Sequence, residues 1–167
     1  MTDPRPDPPL VASERDMLDA FLEFHQQTLL MKIDGLSEEE LRRSFVPSGL
    51  TLLGLVKHQA YVHRWWFRYV FAGEDVTFPW TEEDPNADWR IEPGETVEQI
   101  VALYRAEVEA ARAIVRASHP DDLSARPEEP ERKRQLRWVL THMVEEVCRH
   151  NGHADIYREL IDGKTGE

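Results

Sequence analysis

The sequence predicts an all-α domain, a four-helix bundle with a long crossover between its second and third helices. Three observations predict it: four long segments carry apolar residues at three-and-four spacing, start and stop residues flank those segments, and no alternating apolar and polar stretch is long enough for a strand. The length of 167 residues, with 41% hydrophobic and 31% charged residues, suits one domain with a single core.

The opening MTDPRPDPPL is proline-rich and has no apolar run, so residues 1–12 read as a flexible tail and not as a signal peptide. The first helix runs from Ser13, an N-cap residue, to about Ile33, where Asp34-Gly35 stops it. Ser37 and Glu40 have the spacing of a capping box for a short connector helix ending before Pro47. The second long helix starts between Ser48 and Thr51 and continues to about Phe71, ending at Ala72-Gly73. Between Gly73 and Pro93 lie three prolines and two tryptophans, a stretch too long for a tight helix–helix turn, hence the crossover. A third helix spans Thr96 to Ser118, and Pro120 marks its end. A loop with Pro127 and Pro130 leads to the fourth, from about Arg134 to Ile161, stopped by Asp162-Gly163. The folded domain is thus 13–163, with no internal repeat.

Charge and composition exclude several functions. A net charge of −12, without a basic stripe, argues against nucleic acid, and no apolar run of membrane-spanning length is present. Cys148 is the only cysteine, so no intramolecular disulfide forms, and the expected location is the reducing cytoplasm.

The chemistry stands out as polar residues on apolar stripes. On the fourth helix, Leu136, Val139, Leu140, Met143 and Val147 share their face with Glu146 and His150. These two are four residues apart, about 40° around the axis, and project side by side. A buried carboxylate must be protonated, paired or metal-bound, because an isolated buried charge costs several kcal/mol, roughly. On the second helix His58 falls within the stripe of Leu55, Val62, Trp65, Trp66 and Tyr69. Two histidines and a carboxylate from facing helices match three-ligand metal sites with an open position. Zinc is the first candidate ion, with nickel, iron and manganese compatible with the same ligands. The bland alternative is that a histidine on an apolar stripe is a hydrogen-bonded core residue, and a Glu-x-x-x-His pair also occurs on exposed helix surfaces.

Helical angles sort the remaining candidates. His63, about 140° from His58, is expected to face solvent. His142 and His153 lie close in angle to Glu146 and are candidates for a catalytic or supporting role. His25, beside Leu18, Leu22 and Leu29, is expected to pack, with lining the open side of the site as the alternative, and Cys148, about 160° from Glu146 and His150, to point away from them. The aromatic run from Tyr61 to Phe71 reads mainly as core, with a substrate-pocket wall as the sharper alternative.

The stretch Pro47-Ser48-Gly49-Leu50-Thr51-Leu52-Leu53-Gly54-Leu55-Val56-Lys57-His58 and the stretch from His142 to Asp155 resemble the DinB-like superfamily, in the branch of mycothiol-dependent enzymes. The resemblance implies a bundle of up-down-down-up order and a metal held at the positions of His58, Glu146 and His150. Many relatives have histidine where this chain has Glu146; the branch similar to mycothiol-dependent maleylpyruvate isomerase has glutamate. Mycothiol is the implied thiol cosubstrate and an electrophilic small molecule the implied partner. The larger isomerases carry an additional C-terminal domain, and this chain ends at Glu167, so S-transfer is expected over isomerisation. Two other readings stay open: a hydrolase using metal-bound water, and a non-catalytic, stress-related metal-binding protein. A homodimer is expected, since bundle faces of this kind often pair.

Overall fold

The computed structural model describes residues 5–126 and 132–165; the loop prolines Pro127 and Pro130 lie outside them. Among the described residues the protein is all-α, and the only strand-like pairing is an isolated bridge between Leu123 and Gln135. No helix there is long and apolar enough to cross a membrane.

Helix α1 spans Glu14–Ile33, and the Ser13 hydroxyl accepts the Asp16 N–H at 3.2 Å, satisfying one of the unpaired donors at its start. Helix α2, Glu38–Leu41, carries the expected capping box: Ser37 Oγ accepts from Glu40 N, and Glu40 Oε2 accepts from Ser37 N at 2.7 Å. Helix α3, Leu52–His63, is capped by Thr51 and passes directly into a π-helical segment, Arg64–Phe71. Helices α4, Val97–Ala117, and α5, Leu136–Asp162, complete the fold, with Gly163 closing α5 at φ 76°. Helix α1 packs most extensively along α5, and α3 along α4. Ahead of α1, Arg5 is buried, donates to Thr28 Oγ1 at 2.6 Å and lies over the Phe24 ring.

The core has two parts. Leu29, Leu53, Val56, Tyr104 and Tyr157 belong to one; Leu22, Phe67, Val115, Leu140 and Val147 belong to the other. On α5 the change-over falls between Val147 and Ala154, and on α3 between Ala60 and Val62.

The π segment is the main departure from the expected continuous helix. It places Arg64 and Arg68 together against Glu107 of α4, which is 3% exposed. Arg64 donates twice to Glu107 Oε1, at 2.9 and 2.7 Å, and Arg68 Nη1 donates at 3.1 Å. Two guanidinium groups thus neutralise one buried carboxylate. Removing one member of such a set strands the others, at about 3 kcal/mol. Glu107→Ala is therefore expected to lower the unfolding free energy measured in urea by that much.

His63 corrects a sequence expectation. It is fully buried, not solvent-facing, because α3 is enclosed on several sides and the outward angle relative to His58 points to α1 and α4. Its Nδ1 donates to the Gln59 carbonyl at 2.7 Å, and Gln26 Nε2 donates to its Nε2 at 2.9 Å, a pattern that requires the neutral ring. Burial lowers its pKa to about 4. The unfolded chain, titrating near 6.5, therefore binds a proton that the folded chain refuses. Stability from this group is complete above pH 6.5 and is lost as the pH falls toward 4, by up to about 3 kcal/mol. Urea titrations of metal-free protein across that window are expected to show this slope, and His63→Gln to flatten it.

Candidate metal centre

Helix geometry brings the three expected residues together. One ligand atom from each of His58, Glu146 and His150 lies within 4.8 Å of the others, and no other such group of three occurs among the described residues. His58 comes from α3, and the other two come from consecutive turns of α5. Glu146 Oε1 is the shared acceptor, 2.9 Å from His150 Nε2 and 3.4 Å from His58 Nε2.

Two residues that sequence reasoning did not single out complete the surroundings. Asp88 Oδ2 lies 2.7 Å from His58 Nδ1, and Trp89 stacks on the His58 ring at 3.6 Å between centroids. The Trp89 ring also meets His150 edge-on at 5.3 Å. Both come from the linking segment 72–96, whose acidic residues offer no periodicity to say which one turns inward.

That segment is held on α3 by two neighbours of His58. A Cβ on Gly54 would come within 2.3 Å of the Trp89 carbonyl oxygen, so glycine is what permits the close approach. The buried Lys57 donates to the Arg90 carbonyl at 2.7 Å and to Glu95 Oε2 at 2.8 Å. Glu95 Oε2 in turn accepts from Glu92 N.

Electrostatics favours a cation. Hydrogen bonds from His150 and then His58 hold the Glu146 carboxyl well below the usual carboxylate range. Burial disfavours the His58 imidazolium, but hydrogen bonds to Asp88 and Glu146 outweigh it and raise the pKa. An ionised carboxylate between two imidazoles is a donor set for a borderline divalent ion. Asp88 fixes the His58 ring by accepting from Nδ1, which leaves Nε2 directed at Glu146. His150 Nδ1 is buried without a hydrogen-bond partner, an unmet polar capacity in the same cluster. The residues present therefore fit a divalent metal.

Asp88→Asn keeps the shape and loses the charge. It is expected to weaken metal affinity about 10–100-fold, the usual consequence of removing a group that orients a ligand, as read by competition with a chromophoric chelator.

The other candidates separate. The His153 ring lies 5.4 Å from that of His150, and burial, then the neighbouring His150 and Arg149, lower its pKa. His142 is one turn away from the group, stacked on Trp138 and edge-on to Trp66 at 4.7 Å. His25 packs edge-on against Phe24. Cys148 is outside the three-residue group, and burial, then Glu145, raise its pKa, so it stays a thiol. Two cavities meet at Trp89. One, of about 570 Å³, is lined by Ser48, Gly49, Leu50, Asn86, Trp89, Arg90 and His153. The other, of about 400 Å³, touches His58 itself and is walled by Val62, Trp65, Trp66, Trp80, Pro85, Asp88 and Trp89.

Fold and site together define an all-α domain with a two-histidine, one-carboxylate cluster beside open cavities. The model of the mycothiol-S-transferase family matches residues 17–163, and the chain belongs to that family. This agrees with the DinB-like, mycothiol-related branch that the motifs resemble. No curated protein matches the sequence.

Proposed function

We propose that this chain is a metal-dependent S-transferase that joins mycothiol to an electrophilic small molecule, with His58, Glu146 and His150 as the metal ligands. The observation that carries the reading is the convergence of these three side chains in a chain of this family. Zinc is the proposed ion, because imidazole and carboxylate donors in a three-residue set suit it. When bound, the ion stabilises a thiolate and so lowers the thiol's pKa toward neutrality.

The chain's own residues do the rest. Asp88 and Trp89 hold the His58 ring, and Glu146 keeps a negative charge between the imidazoles. His153 lines the larger cavity and is the proposed acceptor of the thiol's proton; burial makes it less basic than a free histidine. The hydroxyl of Ser48 and the amide of Asn86, which line that cavity, suit the hydroxyl-rich body of mycothiol. His142 is the second candidate for proton transfer, on the side of Trp66.

The finer fold reading is an up-down-down-up four-helix bundle over 13–163. Its support is the packing of α1 on α5 and of α3 on α4, with the long link 72–96 between the two middle helices. We also take the protein to be a cytoplasmic homodimer. Ile156 and Leu160, exposed one turn apart on α5, supply an apolar patch for pairing, and a single cysteine suits a reducing compartment.

The test mixes metal-loaded protein with mycothiol and monochlorobimane. Conjugate formed above the metal-free control is expected. Its absence contradicts the reading, and turnover of an ester or amide without any thiol favours the hydrolase alternative.

A further inference from the structure

The smaller cavity differs in kind from the larger one. Four of its eight lining residues are tryptophans, Trp65, Trp66, Trp80 and Trp89, joined by Val62 and Pro85. Its two ionisable members, His58 and Asp88, are already hydrogen-bonded to one another at 2.7 Å. A charged or hydroxyl-rich ligand therefore finds no charged partner there that is not already engaged.

Two of the indoles are braced by rings outside the cavity lining. Trp80 stacks on Phe78 at 4.5 Å, and Trp65 stacks on Tyr69 at 4.9 Å and meets Phe78 edge-on. Trp65 and Trp80 remain partly accessible, so apolar ring surface is left uncovered beside His58. Partly accessible aromatic rings, braced by other rings and facing a cavity, are a typical lining for an apolar ligand. Trp65 and Trp80 also meet each other, tilted at 6.1 Å between centroids, yet neither ring is fully buried by that contact.

We infer that this aromatic cavity is the electrophile subsite, and that it selects flat, apolar, conjugated electrophiles over small polar ones. The inference rests on the transferase reading above. The larger cavity then receives the body of the thiol, and Trp89 borders both cavities. For a halomethyl arene or its equivalent, the thiol sulfur forms a bond to the electrophilic carbon. The carbon–halogen bond breaks, its electron pair leaves with the halide, and the S–H proton passes through a neighbouring base to solvent.

The test compares Trp80→Ala and Trp80→Phe with the wild type in two assays. The first is the ratio of kcat/KM for monochlorobimane to that for 2-chloroacetamide, with mycothiol saturating. The second is equilibrium binding of the unreactive syn-(methyl,methyl)bimane to the metal-free protein. Loss of one stacking wall is expected to lower the ratio and weaken binding of the dye by roughly tenfold in Trp80→Ala, with Trp80→Phe retaining most of both. An unchanged ratio with unchanged dye affinity overturns the assignment. If the wild type forms no conjugate, the transferase reading fails, and dye binding alone decides the subsite: Trp80-dependent binding supports it, and Trp80-independent binding or none overturns it. Circular dichroism of each variant, and Trp65→Ala as a second wall, separate lost binding from lost fold.

Discussion

Glu146→Ala lowers divalent-metal affinity by at least about a hundredfold, the largest effect expected of any single substitution at the centre. Structural zinc sites with four ligands are worth about 10–16 kcal/mol, so one ligand accounts for about 3 kcal/mol, roughly two decades in Kd. Glu146 is the harshest of the three to lose because it is the shared acceptor of both imidazoles and the only carboxylate among the three. His150 and His58 also hold its carboxyl ionised, so it presents a full negative charge at neutral pH. Glu146→Gln keeps the oxygen and loses the charge, and its affinity is expected to fall between the two. Metal competition titrations with a chromophoric chelator measure all three proteins on one scale. Equal affinity in wild type and Glu146→Ala is the contrary result.

Gly54→Val couples stability to the centre although residue 54 touches no ligand atom of the triad. Its Cβ would meet the Trp89 carbonyl at 2.3 Å, and that neighbour is backbone, which cannot rotate away. Either α3 or the segment carrying Asp88 and Trp89 must shift. Overpacking of this kind costs about 1–3 kcal/mol, seen as a lower urea midpoint at unchanged m-value. The shift also withdraws the Asp88 carboxylate and the Trp89 ring from His58, so metal affinity is expected to drop about 10–100-fold as well. Lys57→Met, which cuts the other tether through Arg90 and Glu95, should act in the same direction on both readouts. A Gly54→Val protein with wild-type stability and affinity would show that the linking segment does not position His58.

These two cases mark what was legible in the sequence. Glu146 and His150 stood out because a period of 3.6 places residues four apart on one face, and a carboxylate among Val139, Met143 and Val147 breaks an apolar stripe. His58 could be paired with them because its own stripe was readable over Leu55 and Val62. The helix boundaries followed from Ser13, Thr51, Thr96 and Gly163, whose side chains or backbone conformations act locally. Asp88 and Trp89 were not readable, since their placement depends on Gly54 and Lys57 gripping an irregular segment from a different part of the chain. The π segment was hidden for a related reason: what distinguishes it is its hydrogen-bond register, and the two arginines facing Glu107 are its visible counterpart. His63 was misplaced because an angle about one helix says which side a residue takes, but not whether another helix covers that side. Here α3 has neighbours on several faces, and even Lys57 and Gln59 are buried.

Elemental analysis of the wild type beside His58→Ala and Glu146→Ala, purified identically, decides whether these side chains hold a metal ion. About one divalent ion per chain is expected in the wild type, with zinc the main element, and far less in both variants at unchanged helical content. Equal metal content in the three proteins, or a wild type that takes up no metal when it is supplied, would contradict it.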